Sequence, residues 1–380
     1  MADGAVQGMT HDRYAAVRTA FADNLESGRD VGASFCATVE GETVVDLWGG
    51  FADAARTRAW ERDTIVNVYS TTKTMTALAA LILADRGDLD FDAPVARYWP
   101  EFAANGKDRV KVSHLMSHAA GLSGWKTPIT KADLYDWDKV TSLLAAQAPY
   151  WEPGTAPGYH ALTQGYLVGE VVRRITGRSL GTFFREEIAE PLGADFHIGL
   201  PASEDHRVAE LIPPPPGQAV GDGPGQTELQ ANMSNNPGID VGETRTRAWR
   251  GAEIPAAGGT GNARSIAEVH AILANGGVAK GKRFMSEAGC RKALELQIAG
   301  DDLILGAPAR YGMGFGLAGG VVPLPNPSTI YWGGYGGSLA IIDMDARTTF
   351  GYAMIKMAGT TTGDMRALGL ALAMWAALGL

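Results

Sequence analysis

The stretch Val68-Tyr69-Ser70-Thr71-Thr72-Lys73 constrains this chain more than any other. It stands where a β-branched, extended run, Thr64 to Val68, gives way to a helical run from Met75 to Arg86, closed by Gly87. A serine at a helix start and a lysine three positions on lie on one face, a turn apart. An amine so placed can reach the hydroxyl, which is one way to activate a serine without a histidine. Lysine is a base only when neutral, so its pKa must fall from about 10.4 toward 7. Burial and the positive end of a helix both push it down. Leu78, Leu81, Ile82 and the alanines around them make this helix apolar on nearly every side, which predicts that it is buried.

A bare S-x-x-K is a weak pattern, and Ser123-Gly124-Trp125-Lys126 matches it too. That copy contains a glycine, follows Gly121 and precedes Pro128, so a helix there is disfavoured. Gly336-Gly337-Ser338-Leu339-Ala340 resembles a nucleophile elbow apart from its last residue. An elbow needs its histidine after the serine, and all seven histidines precede Ser338. The segment is therefore expected to be a glycine-rich sheet edge lying against a substrate. His114 and His118 have the spacing of a zinc pair, but position 115 is leucine where the glutamate would stand. Hydrogen-bonded loop histidines are expected instead, and no metal. Neither a phosphate loop nor a dinucleotide fingerprint follows a strand.

β-Rich runs occupy both ends of the chain. Val31 to Val39 and Thr43 to Trp48 form a hairpin around Glu40-Gly41-Glu42, preceded by a helical stretch from Asp12 to Gly28. Tyr311 to Leu317, Ser328 to Trp332, Ser338 to Met344 and Thr348 to Met357 follow one another with tight turns, which favours an antiparallel sheet. Between the two ends lie helices at Val112 to Met116, Leu162 to Thr176 and Ala263 to Asn275, a Pro- and Gly-rich loop at Ile212 to Gln226, and an irregular stretch from Asn232 to Thr260. The expected architecture is α+β. Residues 1–68 and 261–380 would form a sheet with terminal helices, residues 69–260 a mostly helical domain, and a site would lie in the cleft between them.

A net charge of −9 offers no basic field for nucleic acid. Cys36 and Cys290 suit neither a disulfide framework nor a metal motif and read as reduced, buried thiols. No basic segment followed by an apolar run stands at the start, and Ala367 to Leu380 is too short to span a bilayer. A cytoplasmic protein without membrane partners is expected, with its oligomeric state open.

Ser70-Thr71-Thr72-Lys73 resembles the first motif of serine β-lactamases and penicillin-binding proteins. The run Trp151 to Thr163, containing Pro157-Gly158-Tyr159, resembles the tyrosine-motif region of class C β-lactamase-like esterases, the family VIII carboxylesterases. Leu115-Met116-Ser117-His118-Ala119-Ala120-Gly121-Leu122 is similar to their L-L-x-H-x-x-G-L segment, and Trp332-Gly333-Gly334 stands where β-lactamases carry Lys-Thr-Gly. The resemblance implies the β-lactamase/penicillin-binding-protein fold. It implies Ser70 as the nucleophile that forms an acyl-enzyme, Lys73 as its base, and Tyr159 as a base or relay. It also implies an oxyanion hole from the backbone N–H groups of Ser70 and Tyr335, and no cofactor.

Two departures bear on the substrate. Ala161 stands where class C β-lactamases have the asparagine of Tyr-x-Asn, and Trp332 replaces the lysine of the third motif. An anionic β-lactam loses its cationic partner, whereas tryptophan offers apolar surface to a neutral group. A carboxylesterase for small, neutral esters is expected. The alternatives are a β-lactam or amide hydrolase, an acyltransferase using the same acyl-enzyme, and a non-catalytic penicillin-recognising binding module. The loops after Leu122 and around Trp151, with Trp125, are expected to wall the pocket.

Overall fold

Strands from the two ends of the chain meet in one antiparallel sheet. In the computed structural model, which describes residues 4–218, 226–320, 322–361 and 363–380, these are β1 (Gln7–Thr10), β2 (Gly32–Val39), β3 (Glu42–Gly50), β4 (Ile298–Asp301), β5 (Pro308–Tyr311), β6 (Gly316–Leu317), β7 (Thr329–Gly333), β8 (Leu339–Asp343) and β9 (Thr348–Met354). The nine strands run in the order β1-β3-β2-β9-β8-β7-β6-β5-β4. The N-terminal hairpin is thus joined to the C-terminal meander through β2 and β9, where Phe35 faces Tyr352. The Glu40-Gly41 turn carries positive φ at both residues, which is what a two-residue hairpin with the right-handed strand twist requires.

The helices are α1 (Ala15–Glu26), α2 (Thr72–Asp85), α3 (Val112–Met116), α4 (Trp137–Ala146), α5 (Thr163–Thr176), α6 (Glu228–Asn235), α7 (Ala263–Ala274) and α8 (Met365–Leu378), besides shorter turns. The alternation of side chains along β9 assigns two of them to opposite faces of the sheet. Thr349 donates its hydroxyl to Ala267 O in α7 at 2.9 Å. Phe350, one residue on, packs its ring against Trp375 of α8 with centroids 6.0 Å apart. Gly351 lets α7 close in, since a Cβ there would stand 2.3 Å from Ala263 O. Helix α2 is buried from Thr72 to Leu83 and passes through the core, as its all-round apolar sequence requires.

Several expectations need correction. The stretch from Asn232 onward is not irregular throughout. Asn232 to Asn235 belong to α6, and Arg247–Gly251 is a further helical turn. Helix α6 starts in a capping box in which Thr227 Oγ1 accepts from Gln230 N and Gln230 Oε1 accepts from Thr227 N. The run Tyr311 to Leu317 is two strands, broken at Gly314, whose φ is +90°. The segment around Ser338 is the turn between β7 and β8 and lies within the sheet, not at its edge. Strands β1 and β4 add to the sheet where the sequence shows no β-rich run. Of the Pro- and Gly-rich loop, 219–225 lie outside the described residues, and 212–218 contain no helix or strand. No described helix is long and apolar enough to cross a membrane.

Candidate active site

Ser70 occupies a single 3-10 turn, Tyr69–Thr71, between the short strand Val66–Asn67 and α2. The entry is conformationally costly, because Tyr69 has φ +43°, a region a bulky side chain rarely adopts. The surroundings hold it there. Val68 N donates to Gly259 O at 2.9 Å, and Thr72 Oγ1 donates to Tyr69 O at 2.5 Å. Ser338 Oγ donates to Val68 O at 2.8 Å and shares a 2.9 Å hydrogen bond with Thr71 Oγ1. Gly334 lies so close to this turn that a Cβ would stand 2.1 Å from Val68 O.

One helical turn on, Lys73 Nζ is 3.0 Å from Ser70 Oγ. The amine is fully buried and also donates to Ala161 O at 2.7 Å and Ala256 O at 2.9 Å. Burial alone holds its pKa well below the ordinary lysine value. A neutral amine has two N–H groups, which satisfy the two carbonyls. Its lone pair then faces the serine. The amine also lies 4.9 Å from the centroid of the Tyr159 ring.

Tyr159 Oη is 2.5 Å from Ser70 Oγ. Burial raises its pKa, so the group is a neutral phenol with a proton to give. Its backbone is fixed at three successive residues. Gly158 N donates to His118 O at 2.9 Å, Tyr159 N to Asp302 Oδ1 at 3.0 Å, and His160 N to His118 Nδ1 at 3.1 Å. His118 itself has φ +59°, and burial, then His160 and Lys73, keep it neutral. Since Nδ1 accepts, its proton is on Nε2. The ring stacks on Trp332 at 5.2 Å and 25°. His160 is held near pKa 4 by burial and accepts from Leu122 N through Nε2.

The Trp332-Gly333-Gly334-Tyr335 segment runs alongside this cluster. Trp332 lies against Tyr159 at 6.0 Å and Tyr311 at 5.5 Å. Gly333 ends β7 opposite Leu339. The Tyr335 ring meets Tyr69 edge-on at 5.4 Å, directly before the serine.

A family model described as beta-lactamase matches residues 17–374. The chain belongs to the beta-lactamase family. Within it the likeness runs to esterases. A crystal structure of a family VIII carboxylesterase is 46% identical, covers 98% of this chain and 100% of its own, and has a TM-score of 0.93. The Esterase/beta-lactamase LipL of Mycobacterium tuberculosis is 39% identical over 74% of this chain and 67% of its own. Esterase EstB of Burkholderia gladioli is 30% identical over 85% of each chain. The α+β fold read from the sequence is the fold of this family, and this member is a hydrolase.

This beta-lactamase-family chain brings all seven sequence-predicted residues into one neighbourhood. It does not bring Trp125 there. That ring is buried in the helical core against Tyr166, its Nε1 donating to Val140 O. Ser123 and Lys126 form no helix and no pair, so the rival motif is excluded. Among the described residues no cluster of three or more His, Cys, Asp or Glu is placed to hold a metal. Sequence reasoning missed Ser338, Asp302 and the carbonyls of Ala161 and Ala256. Ser338, within the elbow-like Gly336–Ala340 segment, instead brackets residues 68–71.

Proposed function

We propose that this chain is a serine carboxylesterase that hydrolyses small, neutral carboxylic esters through an acyl-enzyme. The observation that carries the reading is Ser70 Oγ held 3.0 Å from a buried, uncharged-favouring Lys73 amine and 2.5 Å from Tyr159 Oη. Lys73 takes the Ser70 proton as Oγ bonds to the acyl carbon. The backbone N–H groups of Ser70 and Tyr335 hold the oxyanion, each such donor contributing about 3 kcal/mol. As the carbon–oxygen bond to the alcohol breaks, Tyr159 gives its proton to the leaving oxygen and is reprotonated from Lys73. Water then attacks the acyl-enzyme with the same groups acting in reverse.

Apolar Trp332 and the absence of an amide side chain at Ala161 support neutral esters over anionic β-lactams. The printed name of LipL covers both esterase and β-lactamase, which favours β-lactam hydrolysis as the second reading. We place the site in a cleft between a domain of residues 1–68 with 261–380 and one of residues 69–260, and the protein in the cytoplasm. Two free, buried cysteines suit a reducing compartment.

The test is turnover of a panel of acetate and butyrate esters and one cephalosporin, with mass spectrometry of the trapped protein. An acyl mass on Ser70 and loss of turnover in Ser70→Ala are expected. Near-normal ester turnover by Ser70→Ala would overturn the assignment.

A further inference from the structure

Helix α6 is unusual in this molecule because none of its residues is buried. Polar ties hold it in place. Asn232 Nδ2 donates to Trp125 O at 3.0 Å and its Oδ1 accepts from Tyr150 Oη at 3.0 Å. Gln230 Nε2 donates to Ile304 O at 2.8 Å. What α6 rests on is a small apolar cluster, separate from the main core, made of Tyr159, Ile304, Tyr311 and Trp332. Leu229 and Met233, one turn apart on α6, are half-buried against that cluster. Ile304 belongs to a turn that begins at Asp302. The Asp302 carboxylate accepts from the backbone of Tyr159, Ile304 and Leu305. The tyrosine and this turn are therefore one tied unit, and α6 is fastened to it through Gln230.

We infer that α6 and the turn at Asp302 form the wall that receives the alcohol half of the ester, with Leu229, Met233 and Ile304 setting how bulky that half can be. This rests on the reading of Tyr159 as the group that protonates the leaving oxygen. An oxygen within hydrogen-bond reach of Tyr159 Oη carries its alkyl or aryl group onto the surface packed around that ring. On the side facing α6, away from Lys73, that surface is Trp332, Ile304 and the two α6 side chains. All are apolar, and the buried Asp302 carboxylate beneath them disfavours a second negative charge. The class admitted is esters of neutral alkyl or aryl alcohols. Leu and Met on a helix without a buried face can be exchanged for other sizes while the core stays as it is.

The experiment compares two ester series on the same purified proteins. One series holds the acyl group as acetate and enlarges the alcohol from methyl through butyl and phenyl to naphthyl. The other holds the alcohol as p-nitrophenol and lengthens the acyl chain. Met233→Trp is expected to lower kcat/KM for naphthyl acetate relative to methyl acetate about tenfold or more. Met233→Ala and Leu229→Ala are expected to move that ratio the opposite way. Gln230→Ala, which releases the clasp on Ile304, is expected to flatten the alcohol preference. The acyl-length optimum should stay where it is in the wild-type enzyme. An alcohol profile unmoved by all four variants overturns the wall. A shifted acyl optimum with an unmoved alcohol profile overturns the assignment of its side. A wild-type protein that turns over no ester in either series overturns both this inference and the esterase reading.

Discussion

Asp302 Oδ1 accepts the backbone N–H of Tyr159 at 3.0 Å, across 143 residues of sequence. The same oxygen accepts from Ile304 N and Leu305 N, each at 2.8 Å, and Oδ2 accepts from the Tyr311 hydroxyl at 2.9 Å. Asp302 is 1% exposed, and Tyr159, Ile304 and Tyr311 are buried with it, so their donors have no water to turn to. Asp302→Ala strands three buried donors, the N–H groups of Tyr159 and Ile304 and the Tyr311 hydroxyl, at about 1–3 kcal/mol each. We expect a stability loss of at least about 3 kcal/mol by urea titration, together with a lowered kcat, because the tyrosine is no longer fixed. Asp302→Asn keeps an acceptor oxygen and should retain most of both. A tolerated alanine with wild-type kcat would show that the loop is held by other contacts.

Ser338 makes a second long-range tie. Its hydroxyl joins Thr71 Oγ1 and Val68 O, bracketing the strained Tyr69-Ser70 turn from the β7–β8 connection. Ser338→Ala removes both bonds without adding bulk. The expected cost is about 1–3 kcal/mol in stability, since Thr71 and Val68 are buried. Turnover of a simple acetate ester should fall about tenfold if the serine shifts by a fraction of an ångström, with KM changed far less than kcat. Restoration by Ser338→Thr, which keeps the hydroxyl, would separate this role from a general packing loss.

What was legible in the sequence had local causes. The Ser70–Lys73 pairing follows from helical spacing, and the burial of α2 from its uninterrupted apolar run. The sheet's central strands show as β-branched runs between glycine turns. Asp302 carries no such signal, because its partners are mostly backbone N–H groups, which any residue possesses. Ser338 is conspicuous in a glycine-rich motif, yet its partner Thr71 lies 267 residues away. Helix α6 lacks a buried face, so the periodicity that reveals other helices is absent, and its Thr227/Gln230 capping box was the readable mark. Trp125 was misplaced because an apolar side chain in a loop suits a pocket or a core equally well. Its neighbours Val140 and Tyr166 become visible only once α4 and α5 pack.

Arg366 links the terminal helix to the turn that follows Trp332-Gly333. Its guanidinium donates to Asp30 Oδ1 at 2.8 Å and to the carbonyls of Gly336 at 3.0 Å and Lys356 at 2.6 Å. Asp30 is buried and also accepts from Tyr352 Oη. Burial raises the Asp30 pKa, with the Arg366 charge opposing that rise. Arg366→Met leaves this carboxylate without its cation, a change that costs about 3–5 kcal/mol for buried pairs. The double variant Arg366→Met with Asp30→Asn should recover part of that loss in thermal unfolding. Equal melting temperatures for Arg366→Met and the double variant would mean that the stranded Asp30 charge is not what destabilises the single variant.

Lys73 gives the sharpest pH dependence. In the unfolded chain it holds its proton until about pH 10.4. In the folded chain burial lowers that pKa, so between the two values the unfolded state binds more protons and stability rises with pH. The burden of a buried lysine is therefore greatest at the acid side of this window and vanishes above about pH 10.4. Lys73→Met removes the titration. Its melting temperature relative to wild type should climb as pH falls from 10 toward 7, whatever constant penalty the carbonyls of Ala161 and Ala256 impose by losing their donor. Turnover answers to the same proton. Wild-type kcat should rise with pH through the lowered Lys73 pKa, because only the neutral amine takes the Ser70 proton, and Lys73→Met should lose activity by orders of magnitude at every pH. A melting-temperature difference that does not vary with pH would mean that Lys73 keeps its charge in the folded protein, and a permanently charged amine cannot be the base.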